Sequence, residues 1–225
     1  MRFDIITIFP RLFDPYIHES ILKRAQKKKL VDIRLHDLRD FTKDTHKKVD
    51  DKAYGGGPGM VLKAEPILKA VIKAAQKNKK PLVIFTSATG KQFNAELAKK
   101  LSKQKQLIII AGRYEGIDER AKKALRTYYT VQEISAGPYV LTGGELPALI
   151  LIDAISRHIP GVLGKNESIE ETRGGIGIPA YTRPEAFIFK KKPYQVPNIL
   201  LSGDHKKIHE WRKRHIKRPT NIDKR

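Results

Sequence analysis

Three glycine-bearing stretches carry the residues best placed to do chemistry: "TSATGKQF" from Thr86, "AGRYEGIDER" from Ala111 and "TGGELP" from Thr142. Adjacent glycines such as Gly143 and Gly144 let another group come close to the backbone. Each stretch directly follows an apolar, strand-like run, and the carboxyl ends of parallel strands are where α/β sheets hold ligands. None of the three matches G-x-G-x-x-G. The Lys and Ser/Thr of a phosphate-binding loop are also missing after Gly144. The ligand is therefore not held mainly by phosphates. Backbone amides and carbonyls crowded by glycine suit a compact polar molecule, such as an adenosine bearing a charged group. His205 and His209 are spaced as metal ligands are, but no acidic or third His partner accompanies them, so no zinc site is assigned. Cysteine is absent, which excludes disulfides and thiolate zinc sites.

The elements that must position these loops follow from periodicity. "DIITIF" (residues 4–9), "LVIFTS" (82–87) and "QLIIIA" (106–111) read as buried parallel strands. "VDIRLHDL" (31–38) alternates like a more exposed strand. "YYTVQEIS" (128–135) and the short "YVL" (139–141) are further strand candidates. Helical periodicity fits residues 15–28, 65–76, 94–101, 117–124 and 145–158. Strands alternating with helices of this length predict an α/β fold with a largely parallel sheet. Two segments break the pattern. Residues 41–60, "FTKDTHKKVDDKAYGGGPGM", form a polar loop long enough to be functional or disordered. Residues 161–179 are Gly-rich and polar and read as a linker. The expected organisation is a ligand-binding domain over 1–160, that linker, and a small basic domain over 180–225. Its clearest helix spans 204–215, with Asp204 as N-cap.

Charge points to the partner. The 225 residues hold 45 Lys+Arg against 24 Asp+Glu, a formal net charge of +21. A solvated lysine coat would explain this, but polyanion binding fits the distribution better. From residue 190 onward there are twelve Lys/Arg and three Asp/Glu, interleaved with Tyr194, His205, His209 and Trp211. Cations supply phosphate contacts and aromatic rings stack on bases, which suits nucleic acid and leaves RNA and DNA both open. There is no run of eighteen apolar residues. The amino terminus reads as a strand rather than a signal peptide, so the expected compartment is the cytoplasm.

Five long stretches carry a resemblance: "VDDKAYGGGPGM", "GRYEGIDER", "GPYVLTGGELPALILIDAISRHIPGVLG", "PAYTRPE" and "NILLSGDHKKIHEWR". Together, in matching order over nearly the whole chain, they resemble the bacterial tRNA (guanine-N1)-methyltransferases of the knotted SPOUT superfamily. The resemblance implies methyl transfer from S-adenosylmethionine to N1 of the guanosine beside the anticodon (position 37). It also implies a deep trefoil knot toward the carboxyl side of the first domain, and a homodimer whose sites are shared. The RNA partner is the tRNA anticodon stem-loop rather than DNA, and no membrane is involved. By motif matching, the cofactor pocket is implied to include Ser87, Gly90, Gly112, Tyr114, Glu115, Gly116, Ser135, Ala136, Gly137, Pro138, Tyr139, Val140, Leu141, Gly143, Gly144 and Pro147. Pro138 stands where the family usually has Asp and offers no backbone donor. For tRNA the matching positions are Asp50, Tyr54, Gly55, Gly56, Gly57 and Pro58, and in the tail Tyr181, Thr182, Arg183, Ser202, Gly203, His205, Trp211 and Arg212. Magnesium is expected from the family, with no dedicated protein cage evident. The tail ends with less helix after "EWRKRHIKRP" than the family usually has.

The implied chemistry needs two protein groups. Guanine N1 must lose a proton, which asks for a general base. Charge growing on O6 asks for a cation or donor. Arg157, in "AISRHIPG", matches the family arginine at the guanine. The family's base is a linker Asp, and the matching position here is Thr172. The adjacent carboxylate Glu171 is assigned as base, with Glu115 the next candidate. Two rivals stay open: a related knotted methyltransferase with another RNA target, and a tRNA-binding relative of impaired catalysis.

Overall fold

The computed structural model describes residues 1–76, 80–164 and 177–216. The chain divides into two compact units, Met1–Gly164 and Lys165–Arg225. The larger is built on a five-stranded sheet of β1 (Arg2–Thr7), β2 (Asp32–Asp37), β5 (Leu82–Gln92), β6 (Gln106–Ile110) and β7 (Thr130–Ser135), in the order β2-β1-β6-β5-β7. Every pairing is parallel. The remaining strands of this unit, β3 (Asp50–Lys52) and β4 (Met60–Leu62), form an antiparallel hairpin inside the long polar loop.

Helices cover both faces of the sheet. Phe3, Ile5, Leu82, Ile84, Leu107 and Ile109 pack against α1 (Asp14–Ile17), α2 (Ser20–Lys27), α4 (Ala95–Leu101) and α6 (Glu145–Ser156). Ile6, Val83, Phe85, Ile108 and Ile110 point the other way, onto α3 (Ala64–Ala75) and α5 (Glu119–Tyr128). Strand side chains alternate between faces, so a strand buried on both sides must be apolar throughout. That is why "LVIF" and "QLIII" carry almost no polar residue.

One polar cluster interrupts this core. Asp4 is buried in β1. Its Oδ2 accepts hydrogen bonds from Arg2 Nε at 2.8 Å and Gln106 Nε2 at 2.7 Å, while Oδ1 lies 2.9 Å from His36 Nε2. Arg2 Nη2 and Gln106 Nε2 also donate to Ala74 O at the end of α3, at 2.6 and 2.9 Å. One carboxylate thus joins the adjacent strands β2, β1 and β6, and two of its partners, Arg2 and Gln106, tie the cluster to the end of α3.

The structure departs from the sequence reading in several places. Residues 139–141 are not a strand but part of an irregular loop after β7. The helix expected over 15–28 is broken near Glu19, before Ser20 with φ 47°. The helix expected at 117–124 starts two residues later, because Asp118 serves as its N-cap by accepting from Arg120 N at 2.9 Å. The last helix of the smaller unit, α8 (His205–Arg214), begins directly after Asp204, which accepts from Lys206 N and Lys207 N. It is preceded by α7 (Asn198–Leu201) and by a hairpin of β8 (Ala186–Phe189) and β9 (Lys192–Gln195), neither evident from periodicity.

Removing the Asp4 carboxylate strands a guanidinium and an amide in a packed interior, and breaking a buried pair is strongly destabilising. Asp4→Ala is expected to lower unfolding free energy by about 3 kcal/mol. Urea titration followed by circular dichroism measures it, and a midpoint unchanged from the parent would contradict the assignment.

Candidate functional site

The three glycine-bearing stretches converge. The middle of β5 from Phe85 to Thr89, the loop between β6 and α5, and the loop between β7 and α6 line a cavity of about 350 Å³ at the carboxyl ends of β6 and β7. Of the sixteen positions matched to a cofactor pocket, Ser87, Gly112, Tyr114, Glu115, Gly116, Ser135, Ala136, Gly137, Tyr139, Val140, Leu141, Gly143, Gly144 and Pro147 line it. Gly90 and Pro138 do not. Gly90 has a different physical role. The ladder of β5 on β7 shifts register between Thr86 and Lys91, and a Cβ at Gly90 would come within 2.6 Å of the backbone of Glu133 and Ile134.

Beside the cavity lies an ion pair that periodicity could not reveal, in which Arg113 reaches the lining. Arg113 Nε donates to Glu145 Oε2 at 2.8 Å, and Thr7 Oγ1 donates to Oε1 at 2.9 Å. Glu145 is only 2% exposed. Arg113 also stacks over Phe9, 4.9 Å from its ring centre, and reaches Thr142 O at 3.3 Å. The sequence placed both charged residues inside recognised stretches but singled out neither.

The glycine pair beside it does two different jobs. A Cβ on Gly143 would overlap the Arg113 side chain. A Cβ on Gly144 would overlap Thr86 Oγ1 and come within 2.7 Å of Gly112 N and 2.8 Å of Ala111 Cα. Gly144 N instead donates to Gly112 O at 2.8 Å. The close backbone approach expected at Gly143 is therefore made at Gly144.

Charged groups of both signs face the cavity: Arg113, Glu115, Glu119 and Lys122. Lys122 donates to Glu119 at 2.6 Å and to Glu133 at 2.8 Å. Burial disfavours its ammonium form, but those two hydrogen bonds and their carboxylate charges outweigh burial and raise its pKa. Asp118, at the rim, is held below the usual carboxylate range chiefly by the Arg120 guanidinium.

The long polar loop is fastened to the cavity wall. Glu115 N donates to Met60 O, Leu62 N to Gly116 O and Asp118 N to Leu62 O, each at 3.0 Å. Gly59 lies against the Glu115 side chain, where a Cβ would overlap it. Asp50 sits in β3, while Tyr54, Gly55, Gly56, Gly57 and Pro58 form the free tip, with Tyr54 98% exposed. The three glycines have φ of 85°, 84° and 130° and nothing within 4 Å of where a Cβ would be. They serve backbone conformation there, not close packing.

In the smaller unit, Tyr181, Thr182, Arg183, Trp211 and Arg212 line a broad concavity. Trp211 meets Tyr181 edge-on at 6.3 Å and stacks on His215 at 4.0 Å. Ser202, Gly203 and His205 form the turn into α8, where Ser202 Oγ accepts from Asp204 N at 3.2 Å. Arg157 caps the far end of α6 and is not in the first cavity. Glu171 and Thr172 lie outside the described residues. Among the described residues no three His, Asp or Glu side chains are grouped to hold a metal, and no helix is long and apolar enough to cross a membrane.

The glycine geometry sets an order of tolerance. A methyl at Gly144 meets backbone that cannot move, whereas one at Gly143 meets a side chain. Overpacking costs typically about 1–3 kcal/mol. Gly144→Ala is expected at or above the top of that range, and Gly143→Ala near the bottom, in chemical denaturation. The reverse order would contradict the packing described.

Comparison with known proteins shows the family. The model of the family described as "tRNA (Guanine-1)-methyltransferase TrmD" matches residues 1–225. A protein from Dictyoglomus turgidum named tRNA (guanine-N(1)-)-methyltransferase is 47% identical, covering 100% of this chain and 91% of its own. Proteins of the same name from Clostridioides difficile (48%, covering 95% and 91%) and Citrifermentans bemidjiense (46%, covering 98% and 86%) are similarly close. With its glycine loops gathered on one cavity and the family's pattern running from end to end, the chain belongs to the tRNA (guanine-1)-methyltransferase TrmD family.

Proposed function

We propose that this protein transfers a methyl group from S-adenosylmethionine to N1 of the guanosine 3′ to a tRNA anticodon, position 37, in the cytoplasm where tRNA is found. The observation that carries the reading is the convergence of three family-matched glycine loops on one cavity at the carboxyl ends of parallel strands.

The residues present suit the cofactor. A volume of about 350 Å³ is in the range of small-molecule sites. Backbone atoms of Gly112, Gly143 and Gly144 lie close by without Cβ atoms, as a tightly held adenosine needs. Arg113 and Lys122 offer cations for a carboxylate, and Glu115 and Glu119 offer anions for a cationic centre. When bound, S-adenosylmethionine supplies a methyl activated by its sulfonium, so the protein need not provide a covalent nucleophile. Magnesium is implied by the family, but no group of ligands for it is evident among the described residues, and no step here depends on it.

Two protein roles remain. Glu171 takes the proton from guanine N1, and Arg157 donates to O6 as charge builds there. Arg157 lies ten residues beyond Pro147, the last residue of α6 at the cavity, so it stands about 15 Å along the helix from the cavity in its own chain. A second copy is needed to bring an Arg157 to the guanine. The outer side of α6 fits that role. Leu146 and Ile150 are exposed on it, and Tyr16 is also exposed, its phenol pKa raised by burial and by the Asp153 carboxylate of the same helix. We therefore read a homodimer with shared sites, each completed by the partner's Arg157. The passage of Gly144 between Thr86 and Gly112 fits a chain threaded as a trefoil knot.

Single-turnover methylation of transcript tRNA, with N1-methylguanosine detected by mass spectrometry, tests this. Glu171→Gln should slow it by about a hundred-fold to ten-thousand-fold with tRNA and cofactor binding nearly intact. Should Glu171→Gln react at the parental rate, the base is Glu170 or Glu115. Absence of product from the parent protein, with tRNA still bound, would favour a non-catalytic relative, which Thr172 at the usual Asp position keeps in view.

Sharing of the site has its own test. Gly143→Val should lose S-adenosylmethionine affinity in calorimetry while circular dichroism shows it folded. Arg157→Ala should bind cofactor but methylate about a hundred-fold more slowly or worse. Mixed dimers of the two inactive chains should regain activity, because one of their two sites is intact. No recovery on mixing would place Arg157 in its own chain's site.

A further inference from the structure

The hairpin of β8 and β9, "AFIFKKKPYQ", carries three lysines and no acidic residue, and it lies outside the stretches matched to the family. Phe187 pairs with Tyr194, and Phe189 with Lys192, across its two strands. Side chains alternate along a strand, so Phe187, Phe189, Lys192 and Tyr194 share one face. Phe187 and Tyr194 are stacked with ring centres 5.4 Å apart and planes 14° apart. Lys190 Nζ lies 5.7 Å from the Phe189 ring centre. All three rings are solvent-facing, with Phe187, Phe189 and Tyr194 57%, 56% and 48% exposed.

The turn is equally telling. Lys190 and Lys191 have φ of 47° and 62°, both left-handed. A two-residue hairpin turn of this kind favours Asn-Gly, which adopts positive φ with little strain. Two lysines are a costly choice for the backbone, and residues held in unfavourable conformations cluster at functional positions. Aromatic rings beside cations, on an exposed strand face, form the kind of platform on which unpaired bases stack while cations meet the phosphates.

We propose that this hairpin face is an additional RNA-binding element, stacking an unpaired base of the bound tRNA on Phe187, Phe189 and Tyr194 and holding adjacent phosphates with Lys190, Lys191 and Lys192. The inference rests on the tRNA-methylating role proposed above and adds to it a contact that the family motifs do not contain.

Two variants of the full-length protein separate the parts. K190N/K191G removes two charges and installs the preferred turn. With transcript tRNA, its salt dependence of binding should flatten by a slope of about 1.4–1.8, the share of two phosphate contacts. F187T/Y194T removes the stack but retains strand-forming residues. Its affinity should fall roughly five-fold to a hundred-fold, with the salt slope unchanged. S-adenosylmethionine affinity should be parental in both. A parent that neither binds nor methylates tRNA would overturn the proposed function itself. A parent that does both, with variants that bind tRNA with parental affinity and slope, would overturn the hairpin proposal alone. So would a change of sedimentation mass in F187T/Y194T, which would make the face a protein interface, or a loss of cofactor affinity, which would make the effect one of folding.

Discussion

The architecture of the cavity depends on one buried carboxylate. Glu145 opens α6 and receives hydrogen bonds from Thr7, at the end of β1, and from Arg113, in the loop after β6. An unpaired carboxylate in that place would be costly, so the three segments must come together for any one of them to be stable. Its negative charge also sits in the first turn of α6, where the helix dipole favours it. The pair of glycines before it is a consequence. With Gly112 bonded to Gly144, no side chain fits at residue 144, and one at residue 143 would have to displace Arg113. A motif that looks like a flexible loop is in fact packed closely against backbone at Gly144.

The same logic extends outward through Glu115. Its backbone is tied to Met60 and its side chain lies on Gly59, so the cavity wall and the β3–β4 hairpin move as one structure. Only the tip from Tyr54 to Pro58 is free. A rigid stem with an open, glycine-rich tip is suited to meeting a large partner, since the stem fixes where the tip is and the tip adapts. Occupation of the cavity, which touches Glu115, can in this way bear on the loop assigned to tRNA.

Apolar residues on α6 serve two surfaces. Ala148, Leu151, Ile152 and Ile155 fill the core against the sheet. Leu146 and Ile150 face outward, which a helix covering one sheet face does not need. Apolar residues on both sides of one helix are the physical support for the dimer proposed above.

The sequence by itself determined the class of fold and the location of the site. Both-face burial forces unbroken apolar runs, so the parallel strands could be read directly, and glycine loops at their carboxyl ends announced a pocket. The long motifs identified the family because they are extended and ordered. What the sequence could not show were relations between distant residues. Thr7 and Glu145 are 138 positions apart, and no local pattern links them. The extended stretch at 139–141 looked like a strand because Tyr-Val-Leu has that propensity, yet no neighbouring strand offers it a ladder, and tertiary context overrode propensity. The hairpins at 50–62 and 186–195 were hidden for other reasons: the strands of the first are three residues each, too short to show a period, and the second lies exposed on both faces, so no alternation toward a core marks it. Which glycine meets backbone, which charge is buried and which aromatic face is left open were decided only when the chain closed on itself, because each is a matter of what lies opposite.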